Sequence, residues 1–114
     1  MARTVLVVDD EPLILELTAE MLKDLGCDVV TAANATEALA KLKTDSRIEI
    51  LITDINMPGM TGYQLAQKAK ERRSDLRVLM LSGRETDGHG FPMIRKPFMQ
   101  EDLARALKHT TGLC

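Results

Sequence analysis

Thr4-Val5-Leu6-Val7-Val8-Asp9-Asp10-Glu11-Pro12 is the stretch that decides the fold. From Thr4 to Val8 it is mostly β-branched and apolar at consecutive positions, so a strand formed here needs cover on both faces. A central parallel strand between two helical layers supplies that cover. Three acids end the run, and Pro12 then opens a helix. Ile14, Leu17, Met21 and Leu25 recur at helical spacing, and Gly26 ends the segment.

The same alternation continues along the chain. Asp28 to Ala32 is a second short strand, and Asn34 and Glu37 have the spacing of a capping box before a helix lined by Ala38, Leu39 and Leu42. Glu49 to Thr53 is a third strand that runs into Asp54. Pro58-Gly59-Met60-Thr61-Gly62 is turn chemistry, and a third helix follows from about Thr61 to Arg73 with Leu65, Ala66 and Ala69 inward. Leu76 to Leu81 is a fourth strand. Gly83 to Pro92 holds three glycines and one proline and reads as loop with at most one helical turn. Met93-Ile94-Arg95 is a short fifth strand, and a last helix from Gln100 to about His109 buries Leu103 and Leu107. Strands alternating with helices give a three-layer, doubly wound α/β fold with a parallel sheet.

Composition narrows the class. The 114 residues make one domain, 1–114, and 45% hydrophobic against 28% charged residues is enough for a packed core. With 15 basic and 17 acidic residues the net charge is −2, which does not suit a surface that holds nucleic acid by charge. Aromatics are 3% and Trp is absent, so base-stacking platforms are not expected either. No apolar run approaches the roughly 20 residues of a membrane span, and the first is too short for a secretion signal. Cys27 and Cys114 form neither metal spacing nor a disulfide framework, which points to reduced thiols and a cytoplasmic protein.

In doubly wound sheets, ligands bind beyond the carboxyl ends of the strands. Asp9, Asp10 and Glu11 follow strand one, Asp54 follows strand three, Ser82 ends strand four and Lys96 follows strand five. Taken singly, each has an ordinary structural use: acids at a helix N-terminus, an Asx turn, a strand end. Taken together, they put three aspartates, a hydroxyl and an ammonium on one sheet edge. Crowded carboxylates need a cationic partner. Lys96 is one, and a hard divalent cation is another. With no His or Cys in the set, Mg²⁺ fits better than zinc. Mg²⁺ typically takes one or two carboxylates, leaving another free as a nucleophile toward phosphorus. The metal and Lys96 would then neutralise the transferring group, with Ser82 donating a hydrogen bond to it.

Val7 to Pro12, Thr53 to Gly62, Leu81-Ser82-Gly83 and Lys96-Pro97-Phe98 together resemble the receiver domain of bacterial two-component response regulators, in the family's order and over essentially the whole chain. The resemblance implies a flavodoxin-like, five-stranded parallel sheet in the order 2-1-3-4-5. It implies that Asp54 is the phosphoacceptor, with Ser82 the switch hydroxyl and Lys96 the lysine on the phosphoryl group. It implies a Mg²⁺ site of Asp9, Asp10, Asp54 and the backbone carbonyl of Asn56, and a cis bond between Lys96 and Pro97. Gly83 would leave the acceptor open to a bulky donor, and Asn56 and Arg84 would tune phosphoryl hydrolysis. The implied role is a single-domain response regulator, not an enzyme. It would be phosphorylated by a sensor histidine kinase or histidine phosphotransfer protein and signal by protein contact or onward transfer, with no output domain after Cys114. The alternatives are a receiver cut from a hybrid kinase, a phosphorylation-independent binding module, and a Mg²⁺-dependent phosphohydrolase. The last wants a carboxylate two residues after its nucleophile, where Asn56 stands.

Two departures from the family pattern carry further expectations. Only thirteen residues, Gly83 to Arg95, separate Ser82 from Lys96, so the family's fourth helix is reduced or absent. Met93 stands where the family has its switch aromatic, and Phe91 is two residues out of register with it. Losing that helix would uncover apolar sheet. Either the 83–92 segment folds over the gap, or a partner chain fills it, a homodimer through the fifth strand included.

Overall fold

The computed structural model describes residues 3–84 and 89–111, with the side chains of residues 110 and 111 left aside. Its elements run β1 (Thr4–Val8), α1 (Pro12–Asp24), β2 (Asp28–Ala32), α2 (Ala35–Thr44), β3 (Ile48–Asp54), α3 (Gly62–Arg72), β4 (Arg77–Ser82), β5 (Met93–Arg95) and α4 (Gln100–Thr111). The five strands form one parallel sheet in the order β2-β1-β3-β4-β5, the expected flavodoxin-like topology. The third strand is longer than predicted, so that Asp54 is its last residue, and the fourth extends to Ser82.

Burial follows the two-faced pattern of β1, all of whose residues are buried. Leu6 and Val8, with Leu51, Val78 and Met80, pack against Ala38 and Leu42 of α2 and Leu65, Ala66 and Ala69 of α3. Val5 and Val7, with Ile50, Ile52, Leu79 and Leu81, pack against Leu22 of α1 and Leu103 and Leu107 of α4. β3 breaks strict alternation once. Thr4 is opposite Ile48 but Val5 is opposite Ile50, so Glu49 is an extra residue, a bulge. It lets Ile48 face one layer and Ile50 the other.

Helix ends follow local chemistry. Asn34 accepts from the Glu37 amide at 2.8 Å, the predicted cap. Thr61 and Gln64 form a complete capping box at the start of α3. Gly26, with φ +93°, takes the left-handed turn after α1 that a side chain would resist. Cys27 is buried; Cys114, on which the expectation of reduced thiols also rests, lies outside the described residues. Among the described residues no helix is long and apolar enough to cross a membrane.

Among the described residues no helix lies between β4 and β5, in keeping with a reduced fourth helix. Residues 85–88 of the predicted loop lie outside the described residues. The segment from His89 to Pro92 forms a strap that leads into β5. Phe91 and Met93 pack, half-buried, on the α2–α3 side of the core. The His89 ring stacks on Tyr63 of α3, centroids 3.8 Å apart and planes 6° apart. The Met80 amide donates to the Pro92 carbonyl at 2.8 Å, tying the strap to β4. Tyr63 therefore packs against the strap. Because Phe91 takes over cover that a helix would give, Phe91→Ala should lower unfolding free energy by about 1–2 kcal/mol in urea titrations. Met99→Ala, at an exposed position, should change it by less than about 0.5 kcal/mol.

Candidate functional site

Four of the five strands deliver a polar side chain to one edge of the sheet. Asp9 sits just past β1 and is 1% exposed; Asp54 ends β3 at 5%, and Ser82 ends β4 at 0%. Lys96 follows β5, whose parallel pairing with β4 sets Arg95 opposite Ser82. The Lys96 amide donates to the Ser82 carbonyl at 2.6 Å, so the register continues into the site. The Lys96–Pro97 bond is cis.

The Lys96 ammonium bridges two acids. Its Nζ donates to Asp9 Oδ2 at 3.0 Å and lies 3.3 Å from Asp54 Oδ1. The other Asp9 oxygen accepts from the Glu11 amide at 3.0 Å, which fixes the Asp9 carboxylate at the mouth of α1. Asp10 is exposed beside it. Asp9, Asp10 and Asp54 each offer a carboxylate oxygen within 4.8 Å of the others. One ammonium thus faces three carboxylates, which leaves an excess of negative charge at a partly buried spot. A hard cation with oxygen ligands fits that donor set, with no nitrogen or sulfur donor among the three.

The electrostatics carry the strain of this arrangement. The Asp54 carboxyl is raised to about 6: burial raises it most, Lys96 pulls it down, and the charges of Asp9 and Asp10 add to the rise. The Lys96 ammonium is held above its ordinary value. Burial opposes this, but its hydrogen bond to Asp9 and the nearby charges of Asp54 and Asp9 outweigh it. Every described buried side-chain nitrogen or oxygen has a hydrogen-bond partner.

The remaining predicted residues flank the cluster. Asn56 is exposed on the loop after β3, held between buried Ile55 and Met57. Gly83 is exposed, and a Cβ there would meet nothing within 4 Å. Arg84 is exposed next to it. Two residues in contact with the Asp54–Ile55 backbone were not singled out from the sequence as site residues: Thr53, whose hydroxyl donates to the Asp54 carbonyl at 2.9 Å, and Gly62, whose amide donates to the Ile55 carbonyl at 2.7 Å. In the sequence the two residues bound the family-like segment Thr53 to Gly62, and Gly62 also belongs to a turn, but neither position carries a site role there. Beside Lys96 lies an apolar groove of about 380 Å³, between Ile14, Leu17, Thr18 and Met21 of α1 and Lys96, Pro97 and Phe98. Leu13, Leu17 and Met99 near it are the large apolar side chains left exposed among the described residues.

Comparison with known proteins agrees with this geometry. Residues 5–108 match the response regulator receiver domain. The chain is 30% identical over 121 residues to the probable transcriptional regulatory protein TcrX of Mycobacterium tuberculosis, with 96% of this chain covered, and spans about half (51%) of that protein's length. It is 39% identical over 75 residues to the sensor histidine kinase RcsC of Escherichia coli, covering 66% of this chain and 8% of that one. The chemotaxis protein CheY4 of Vibrio cholerae superposes with a TM-score of 0.88 at 32% identity, covering 96% of this chain and 99% of the other. The response regulator protein TrrA of Thermotoga maritima, solved in complex with Mg(2+)-BeF, superposes with a TM-score of 0.85 at 30% identity, covering 94% and 97%. The chain belongs to the receiver domain family of two-component response regulators, a family of signalling domains with members inside hybrid kinases.

The raised Asp54 pKa has a consequence for stability without metal. An acid whose folded pKa exceeds its unfolded value, near 3.9 for Asp, stabilises the fold when protonated and loses that contribution as pH climbs through about 6. Asp54→Asn should therefore stabilise the chelator-treated protein by about 1–3 kcal/mol at pH 8, and the gain should shrink to near zero by about pH 4. Urea titrations at both pH values measure it. A loss of stability at pH 8 would mean that the carboxylate serves the fold.

Proposed function

We propose that this receiver takes a phosphoryl group from a phosphohistidine of a sensor histidine kinase or phosphotransfer protein onto Asp54, with Mg²⁺ held by Asp9, Asp10, Asp54 and the Asn56 carbonyl. The observation that carries the reading is the Lys96 ammonium set between Asp9 and Asp54, with three carboxylate oxygens gathered within 4.8 Å. TrrA, alike in fold and sequence, holds Mg(2+)-BeF.

In the transfer, an Asp54 carboxylate oxygen attacks phosphorus as the P–N bond of the donor breaks. The electron pair goes to the imidazole nitrogen, and the new bond is an acyl phosphate. Lys96 balances negative charge on the moving group from the Asp9 side. Ser82, at the end of the neighbouring strand, donates to a phosphoryl oxygen. Mg²⁺, held by these carboxylates and the Asn56 carbonyl, would supply positive charge that offsets the phosphoryl oxygens. Gly83 leaves room for the donor, and the groove between α1 and Phe98, with Leu13, Leu17 and Met99 around it, receives apolar side chains of the donor protein. The signal then leaves by protein contact or onward transfer. The match to RcsC favours a second reading, a receiver working in cis within a hybrid kinase.

Incubation with acetyl phosphate and Mg²⁺ should add one phosphoryl group, read by intact mass, and Asp54→Asn should abolish it; undiminished labelling of that variant would refute the assignment. Leu17→Asp should leave labelling by acetyl phosphate within about twofold of wild type yet slow transfer from a phosphorylated kinase or phosphotransfer protein by about tenfold or more. Equal rates from the protein donor would remove the groove from its docking surface.

A further inference from the structure

The peptide that joins Asp54 to Ile55 is gripped from several sides. The fully buried Thr53 donates its hydroxyl to the Asp54 carbonyl oxygen at 2.9 Å. The Ile55 amide donates to the Leu81 carbonyl at 3.2 Å, and the next peptide, Ile55–Asn56, is held by its carbonyl, which accepts from the Gly62 amide at 2.7 Å. Gly62 is the first residue of α3, and its bare Cα lies directly on this peptide. A Cβ at that position would stand 2.3 Å from the Asp54 carbonyl oxygen, 2.9 Å from Ile55 Cα and 3.1 Å from the Asp54 carbonyl carbon.

These contacts differ from the usual reason for a glycine. Gly62 has a φ outside the left-handed region, so its backbone conformation is open to any residue. Helix propensity would favour alanine by about 1 kcal/mol. What excludes a side chain is the backbone of the neighbouring loop, and because every clashing atom is main chain, no rotamer change relieves it. The gripped peptide carries the Asp54 side chain at one end and leads to Asn56 at the other.

We propose that Gly62 and Thr53 are positioning residues for the metal and phosphoryl site: together they set the tilt of the Asp54–Ile55 peptide, and so the placement of the Asp54 carboxylate relative to the Asn56 carbonyl. Gly62 lets α3 press against one side of the peptide, and the Thr53 hydroxyl holds its carbonyl oxygen. This role rests on Asp54 being the acceptor and on the metal site proposed beside it. Gly62→Ala displaces the loop sideways; Thr53→Val frees the carbonyl without changing side-chain shape.

The test compares wild type, Gly62→Ala, Thr53→Val, Thr53→Ser and, as a destabilised control far along α2, Leu42→Ala. Mg²⁺ affinity is read by calorimetry under conditions where circular dichroism shows each variant folded, and labelling by acetyl phosphate is read at saturating Mg²⁺. Gly62→Ala and Thr53→Val should each weaken Mg²⁺ binding by about tenfold or more and slow labelling, Thr53→Ser should restore wild-type affinity, and Leu42→Ala should lose stability but keep its affinity. Wild-type affinity and labelling in folded Gly62→Ala and Thr53→Val would overturn the proposal. So would Thr53→Ser as weak as Thr53→Val, or Leu42→Ala as weak as either. If Gly62→Ala does not fold, the Thr53 pair decides. A wild type that neither binds Mg²⁺ nor takes the phosphoryl group would instead refute the functional reading itself.

Discussion

The structure turns on the cost of holding Asp9 and Asp54 beside each other with little access to water. Such a pair ionises only if something cationic stands close. Here it is Lys96, 3.0 Å from one and 3.3 Å from the other. The parallel sheet makes this simple to arrange: β1, β3, β4 and β5 all point the same way, so residues far apart in sequence end at the same edge. The buried, two-faced strands are rigid supports for groups that would otherwise push one another apart. One ammonium does not balance three carboxylates, and the remaining imbalance makes the site receptive to a further cation.

The functional reading grows out of that imbalance. A group arriving with negatively charged oxygens is unwelcome at an acidic edge unless cations mediate, and it needs a nucleophile that is not wholly tied up. Asp54 answers the second condition. Its carboxyl is raised by burial and only partly rescued by Lys96, whereas Asp9 is held by both Lys96 and the Glu11 amide. The more firmly anchored carboxylate suits a ligand, and the less anchored one suits a nucleophile.

Much of this was legible in the residues, for identifiable reasons. The runs Thr4–Val8 and Glu49–Thr53 are apolar over consecutive positions, which a parallel sheet covered on both faces satisfies, and the acids, Ser82 and Lys96 fall where the strands stop. The bulge at Glu49 was not legible, because Ile48, Ile50 and Ile52 read as an even alternation and only the opposing register exposes the extra residue. The strap was half legible: glycines and Pro92 spoke against a helix, but nothing local said that His89 would lie on Tyr63, which belongs to a helix on the far side of β4 in sequence. The roles of Thr53 and Gly62 were not legible because they lie in what touches them across the loop, and a turn glycine looks the same whether it is there for its φ or for its lack of a side chain.

The brevity of β5 has its own consequence. Three pairings, Met80 with Met93, Leu81 with Ile94 and Ser82 with Arg95, are all that aligns the segment leading into Lys96. Side chains alternate sides along a strand, so adding or deleting a single residue between the tie at Pro92 and Lys96 would turn the lysine away from the acids. Before Pro92, by contrast, the connection can grow or shrink without altering the phase of the strand. The sheet can thus dispense with a helix at one point and still bring Lys96 to the acids, while a one-residue slip a few positions later would part them.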